Sequence, residues 1–495
     1  MTRTLAAVDL GAQSGRVVVG RFDGARLAVE EVHRFANVPV ENDGVLEWDW
    51  PRLEADVFEG LGRAGAGGQV ESVAVDSWGV DFGLVDAAGR LLRNPTHYRN
   101  RRRASVFDSV IDQIPARELY ERTAIQLMPI NTLFELAAAA AERDPTLAEA
   151  RRLLMIPDLF HQRLCGSQVT ERTNATTTQC YDPHARDWAR DLLDQLGVPT
   201  TILPDVAPTG SRLGAIGTEA GAGLDGAIVV ATATHDTAAA VAAVPMTGRQ
   251  CAYLSVGTWS LVGIESDEPI AGEAAYRANL SNEGGVDGTF RVLRNVTGLW
   301  LLEECRRVWA EAGRPYSVSD LVARAATAPA LRSFVDPNDP TFTEPGDMPA
   351  RIAAYCKSTH QEVPADDAAV VRCIIESLAL KHAQTIDLLA DVAQREIDEL
   401  HVVGGGANNE LLCSWTAQAA QRPVLAGPSE ATAVGNLLVQ AVALGELSTI
   451  AEGRELVRRS FAPKAYEPAA DARWQQARER FAELASARPR VEVTT

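Results

Sequence analysis

The sequence predicts an α/β fold built as two successive halves, and three observations predict it. Apolar strand-like runs alternate with helix-like runs along nearly the whole chain. The opening pattern of strand, glycine turn and strand starts again after "PMTGRQ" at 245–250. The 495 residues exceed what one hydrophobic core usually holds and suit two large domains. Domains are therefore expected over 1–245 and 246–445, with a helical tail over 446–495 packed on the second.

The first half reads as a β-meander. "TLAAVDL" is an apolar strand, "GAQSG" a turn, "RVVVGRF" a second strand, "DGAR" a tight turn and "LAVEEVHRF" a third strand. "SVAVDSWGVDFGLVDAAGRLL" follows as a strand-and-turn unit. Helical patterns fill about 103–165, with Asn131 or Thr132 as the cap of "NTLFELAAAAAERD". "GAIVVATATHDTAAAVAAV" closes the half as a buried strand running into a helix. In the second half "CAYLSV", the turn "GT" and "WSLVGIE" repeat the opening. Helices are expected near 297–313, 366–396 and 408–420, with the strand "LHVVGGG" before the last. In the tail, Trp474, Ala477, Phe481 and Leu484 share one helical face.

Composition narrows the function. A net charge of -19 opposes nucleic-acid binding, which needs a basic face. A small anion held by backbone N–H groups at a glycine turn stays open. Lysine is confined to Lys357, Lys381 and Lys464, so arginine carries the cationic work. The seven cysteines form no C-x-x-C pair, which argues against a structural zinc site and suits a reducing compartment. No signal-like start and no 18-residue apolar window occur, so a cytoplasmic protein without a membrane partner is expected.

Three glycine turns carry the candidate chemistry. In "AVDLGAQSGR", Asp9 ends a strand and Ser14 and Arg16 supply donors. This is either an ordinary hairpin or a phosphate-cradling turn whose aspartate holds Mg²⁺. It is not a Walker A loop, since no lysine follows a glycine. "YLSVGTWSLVG" supplies a second turn, and "HVVGGGANNELL" a third. The third departs from the dinucleotide-binding fingerprint, with Asn409 where the last glycine belongs. Asp236, in "THDTAAAV", is either the cap of the helix that follows or a carboxylate held at a strand end for catalysis. Arg99, Arg101 and Arg102 in "YRNRRR" read as a solvated or helix-entry cluster.

The order of these runs resembles the FGGY family of carbohydrate kinases across essentially the whole chain. The resemblance implies an α/β fold of two RNase H-like (actin-like ATPase) domains with a cleft between them. It rests on "AVDLGAQSGR", "VDSWGVDFGLVD", "ERTNATTTQ", "THDTAAAV", "YLSVGTWSLVG", "NEGGVDGTFRVLRNVTGLWLL" and "HVVGGGANNELL". Within the family these runs are most similar to kinases that phosphorylate L-rhamnulose at its 1-hydroxyl. The run Ser77-Trp78-Gly79-Val80-Asp81-Phe82 stands where glycerol and xylulose kinases carry other motifs.

The resemblance implies ATP and Mg²⁺ as cofactors, Asp236 as general base, and Asp9 as the metal-binding carboxylate. Gly79, His235, Asp236, Thr237 and Asn295 would contact the sugar. Ala12, Gln13, Ser14, Gly15, Arg16, Thr258, Glu303 and Gly405 would contact ATP. Glu303 departs from the family, whose members usually carry glutamine there, and a carboxylate beside phosphates needs a cation to offset it. Trp78 and Phe82 are candidates for an apolar wall against the sugar's methyl group. Cys356 and Cys373 match a pair linked in some relatives, which a reducing compartment disfavours. Two alternatives remain at this level: another ketose kinase such as an L-fuculokinase, and a non-catalytic sugar sensor on the same fold. A monomer or homodimer is expected in either case.

Overall fold

The computed structural model describes residues 2–217 and 223–486. The end of the expected tail, 487–495, lies outside the described residues. The chain divides into two compact units. The first comprises Met1–Pro245, Glu265–Val292 and Ala431–Phe461; the second comprises Met246–Ile264, Leu293–Glu430 and Ala462–Thr495.

The first unit is organised on a six-stranded sheet. Its order is Ser211–Ala215, Ile228–Ala231, Ser72–Ser77, Arg3–Leu10, Ser14–Phe22 and Leu27–Ala36. The three opening segments pair antiparallel, as the meander pattern predicts. Ser72–Ser77 then joins Arg3–Leu10 in parallel, and Ile228–Ala231 joins Ser72–Ser77 in parallel. Strands of a sheet covered on both faces read as continuous apolar runs, and Val73 and Val75 are fully buried. Helix Trp50–Ala66 covers one face, started by the Asp49 side chain accepting from the Arg52 N–H. Its Leu53, Val57 and Leu61 repeat every four residues and pack with Val8, Val17 and Val73 in one core.

The second unit repeats this plan. Its strands belong to a seven-stranded sheet in the order Ser281–Gly284, Phe290–Thr297, Trp259–Ser266, Cys251–Val256, Glu399–Val403, Val424–Ala426 and Lys464–Tyr466, of which Ser281–Gly284 and Phe290–Val292 are counted with the first unit. Cys251–Val256 pairs antiparallel with Trp259–Ser266 and parallel with Glu399–Val403, which pairs parallel with Val424–Ala426. The edge strand Lys464–Tyr466 is again antiparallel. Helix Asp367–Ala393 forms the buried backbone of this unit, capped by Asp366 on the Ala369 N–H. The terminal helix Ala472–Ser486 sets Trp474 against Trp415 and Phe481 against Phe334, as its apolar face predicts.

Residues 431–461 group with the first unit by their contacts. Polar contacts explain why. Gln440 donates to the Ala6 carbonyl at 3.0 Å and accepts from the Ser72 hydroxyl at 2.6 Å. Arg454 pairs with Glu265 at 2.8 Å and donates to the Val241 carbonyl at 3.1 Å. Only from Ala462 onward does the tail join the second unit. All seven cysteines, Cys356 and Cys373 included, are unpaired. Among the described residues no helix is long and apolar enough to cross a membrane.

In the first unit helix Asp236–Ala242 crosses helix Ala431–Leu444 at Gly435. A Cβ there would stand 1.8 Å from the Ala239 carbonyl oxygen, so only glycine permits the crossing. Gly435→Ala should therefore lower stability by about 1–3 kcal/mol, the usual cost of overpacking. Denaturant unfolding checks this; an unchanged midpoint would mean that the helices part without cost.

Candidate active site

Three aspartates converge at the carboxyl ends of adjacent strands in the first unit. Asp9 and Asp76 are register partners on parallel strands, so their side chains leave the same face of the sheet. The next strand delivers Asp236. Ile228–Ala231 runs on through Thr232–Thr234, and His235 bridges to Ser77 before the helix begins. Glu171 fixes that junction: its buried carboxylate accepts from the Thr234 N–H at 3.1 Å and from the Thr234 hydroxyl at 2.9 Å.

The cluster is electrostatically uneven. Arg16, the register partner of Asp9, places both Nε and Nη2 on Asp9 Oδ2, at 2.8 and 2.6 Å. An arginine expected as a phosphate donor is thus turned toward a carboxylate. Asp76 is wholly buried. Its Oδ2 accepts from Asn436 at 2.6 Å, while Oδ1 has no hydrogen-bond partner. Burial pushes the Asp76 carboxyl well above the ordinary range, and the neighbouring Asp9 charge adds to it.

Asp236 is raised too, first by burial and then by Asp9, with His235 opposing. It does not cap its helix. His235 occupies the N-cap position, and Asp236 is the first helical residue. Its Oδ1 accepts from the Thr237 N–H at 2.6 Å and hydroxyl at 3.1 Å, with His235 Nε2 at 3.4 Å. These contacts all fall on Oδ1 and leave Oδ2 to a ligand. On its other side, His235 meets a buried pair, Arg291 and Glu283.

The turn that carries Gly79 adjoins this cluster through Ser77. Val80 sits at φ 65°, a strained value for a β-branched residue. Two threonines hold it there: Thr177 accepts from the Val80 N–H at 3.1 Å, and Thr132 donates to its carbonyl at 2.6 Å. A Cβ on Gly79 would press on Thr177 at 2.9 Å. Beneath the turn, buried Asp81 accepts from the indole N–H groups of Trp48 and Trp78 at 2.7 and 3.0 Å, and from Arg103 at 2.6 Å. Trp78 and Phe82 are only 6% and 8% exposed, so they serve as core. Half-buried Tyr98 offers more surface: burial raises its phenol, Arg99 opposes, and the Asp81 and Asp236 charges add to the shift.

The first glycine turn is short and braced. Gly11 donates to the Ser14 carbonyl at 2.9 Å, and Asn37 holds the Gly11 and Gln13 carbonyls at 3.0 Å each. Ala12 and Gln13 form its tip. Gly15 is required because a Cβ would stand 2.3 Å from the Phe35 ring.

The second unit gathers the other expected residues. The Gly257–Thr258 turn receives N–H donors from Gly298 and Leu299. Gly404, at φ 77°, and Gly406 close on Val256, while Gly405 faces open space. Thr258 and Gly405 thus sit on neighbouring loops. Asn295 lies half-buried on strand Phe290–Thr297. Glu303, in the first turn of helix Trp300–Glu311, pairs with Arg306 at 2.6 Å.

Several residues escaped sequence reading. Asp76 lay inside a quoted strand, and only the parallel register beside Asp9 signals it. Of the arginines expected as a solvated or helix-entry cluster, Arg101 and Arg102 open helix Arg101–Gln113, with Arg102 tied to Glu135 and Asp144; the next residue, Arg103, is 1% exposed and bound to Asp81. Glu283 and Arg291 lay inside the quoted run "NEGGVDGTFRVLRNVTGLWLL" without being singled out, and Asn436 lay outside every quoted run.

Comparison with known proteins identifies the family. The profile of the FGGY family of carbohydrate kinases, N-terminal domain, matches residues 4–243, and that of its C-terminal domain matches 252–444. A rhamnulokinase of Pectobacterium carotovorum subsp. carotovorum (strain PC1) is 42% identical over 95% of this chain and 94% of its own. A rhamnulokinase of Bacteroides thetaiotaomicron is 40% identical over 96% and 98%. Among solved structures, gluconate kinase from Lactobacillus acidophilus superposes with a TM-score of 0.81 at 17% identity, covering 98% of each chain. Glycerol kinase from Plasmodium falciparum does so with a TM-score of 0.79 at 12% identity, over 98% of this chain and 97% of its own. The chain belongs to the FGGY family of carbohydrate kinases and is a sugar kinase with ATP as its substrate.

Proposed function

We propose that this kinase transfers the γ-phosphoryl group of ATP to the 1-hydroxyl of L-rhamnulose, giving L-rhamnulose 1-phosphate and ADP. The observation that carries the reading is the 40–42% identity to rhamnulokinases over nearly the full length. The run Ser77–Phe82 supports it, since it stands where other kinases of the family carry different motifs and bridges through Ser77 to His235, the neighbour of Asp236.

Phosphoryl transfer needs in-line positioning, neutralised charge and a group to accept the attacking proton. Asp236 is the proposed base, with Oδ1 held by Thr237 and Oδ2 accepting the hydroxyl proton. His235, Thr237, Gly79 and Asn295 are the proposed sugar contacts, and Tyr98 a surface for the 6-methyl group. Ala12 to Arg16, Thr258, Gly405 and Glu303 are the proposed nucleotide contacts. A cation fits the strand ends: Asp9 and Asp76 lie side by side, and Asp76 Oδ1 is buried without a partner. These two carboxylates would hold Mg²⁺, which when bound neutralises phosphate charge. A cytoplasmic monomer or homodimer is the proposed setting.

Substrate choice is tested by ADP release across a ketose panel. L-Rhamnulose should give a higher kcat/KM than L-fuculose, D-xylulose or glycerol. Because one methyl contact discriminates by only about 1–3 kcal/mol, some turnover of related ketoses is expected. A preference for glycerol or D-xylulose would overturn the assignment.

Asp236→Asn should lower kcat roughly 10²–10⁴-fold without lowering the melting temperature, because an amide accepts no proton and replaces a carboxylate that burial disfavours. In the wild type, a base with a raised pKa must lose its proton to act. Activity should therefore fall as pH drops through that raised value, with the acid limb of kcat/KM above the ordinary aspartate range. An acid limb at the ordinary range, or retention of most of the activity in the variant, would remove Asp236 from this role.

Asp76→Asn tests the proposed metal site through stability. A carboxyl raised on folding contributes stability below its unfolded pKa and loses it as pH rises through the folded value. The neutral variant should thus melt higher than wild type at about pH 8 without metal, with the gap closing toward about pH 5. Turnover should be nearly lost. A variant that melts lower at both values would mean that Asp76 is a structural carboxylate.

A further inference from the structure

The Arg291–Glu283 pair is the largest ionic group beside Asp236 that the proposed mechanism does not use. Arg291 is fully buried in the first unit, on strand Phe290–Thr297, and Glu283 precedes it on Ser281–Gly284. Arg291 Nη2 lies 2.8 Å from Glu283 Oε2 and 2.9 Å from His235 Nδ1, and Arg291 Nε donates to the Gly284 carbonyl at 2.9 Å. Glu283 Oε2 is 3.2 Å from the same His235 nitrogen. On the far side of the ring, His235 Nε2 is 3.4 Å from Asp236 Oδ1.

Two arrangements compete at Nδ1. A proton there would donate to Glu283 and confront an arginine N–H at 2.9 Å, donor against donor. A guanidinium has five N–H donors and no acceptor, and keeps its protons in proteins. The shorter contact therefore decides: Nδ1 presents its lone pair to Arg291, and the ring proton sits on Nε2. Glu283 serves the guanidinium, whose buried charge it balances.

The geometry points to Arg291 and Glu283 as positioning residues that lock His235 as an Nε2–H donor toward Asp236 and the sugar. This rests on the reading that Asp236 takes the substrate proton. A histidine so held offers no lone pair on its Asp236 face, so it cannot compete with Asp236 for that proton. It supplies instead a fixed N–H for a carboxylate or hydroxyl oxygen. The 3.4 Å gap leaves that N–H available to a ligand oxygen.

The test reads the proton directly. Protein labelled with ¹⁵N at histidine, without sugar or nucleotide, should give His235 a bare Nδ1 and a protonated Nε2. A His235→Gln variant assigns the signal. Arg291→Met and Arg291→Lys are then compared. The two side chains are close in size, but only lysine keeps an obligate donor. Methionine should move the ring proton toward Nδ1 and Glu283 and lower kcat roughly 10–10²-fold, as for a misplaced or wrong-tautomer group. KM for ATP should be unchanged, and lysine should retain the wild-type tautomer and more of the rate. A wild-type spectrum with the proton on Nδ1 overturns the proposal, even if neither variant folds. Equal spectra and equal rates in the two variants also overturn it, since a purely structural arginine would tolerate neither. Because the spectrum is recorded without sugar, a wrong ketose assignment leaves this outcome untouched.

Discussion

The structure depends on one unfavourable act: carrying like charges into protein at the ends of three neighbouring strands. Asp9, Asp76 and Asp236 come from different stretches of chain, yet the parallel pairing brings them to one edge. Removing a carboxylate from water costs several kcal/mol, and a second negative charge nearby adds to that cost. The first unit meets it unevenly. Asp9 receives an arginine, Asp76 a single amide N–H, and Asp236 the donors of its own next residue. The least compensated oxygen, Asp76 Oδ1, marks where a cation is wanted.

That arrangement explains why the sheets are built as they are. Each unit begins with an antiparallel meander and continues with parallel strands whose carboxyl ends open onto glycine turns. The meander supplies a tight hairpin, Ala12–Gly15 in one unit and Gly257–Thr258 in the other. The parallel strands supply side chains at one edge. The glycines act by permitting contact: Gly15 admits Phe35, Gly435 admits the Ala239 carbonyl, and Gly406 admits Val256. At Gly405, by contrast, a side chain would meet open space. Within the first unit, helix Ala431–Leu444 reaches the cluster from far along the chain and brings Asn436 to Asp76.

The elements and their order were legible in the sequence, because strand and helix periods differ and glycine turns separate them. The strand "TLAAVDL", the helix after "THDT" and the apolar face of the tail needed no tertiary information. The unit boundaries were not legible. Residues 431–461 read as an apolar, then charged, pair of helices, and nothing local says which sheet they cover. Gln440 and Arg454 decide that through contacts to Ala6 and Glu265. For the same reason the site was half visible. Asp9 and Asp236 end conspicuous strands, whereas Asp76 sits inside one and becomes notable only through its register partner. Arg103 drew no reading because its partner, Asp81, is 22 residues away in sequence and only the fold brings them together.

The question raised by Asp236, cap or catalyst, turns on which groups can change their role. Aspartate at an N-cap would spend its oxygens on helix N–H groups two or three residues on. Here His235 takes the N-cap position and makes no side-chain cap, so the carboxylate is released from that duty. Histidine is by nature ambivalent, able to give or take a proton on either nitrogen. Its neighbours remove the ambivalence: arginine can only donate, and ionised glutamate can only accept. A chain of groups with one permitted role each, Glu283 to Arg291 to His235, ends at Asp236. The contacts it makes there fall on one oxygen, Oδ1.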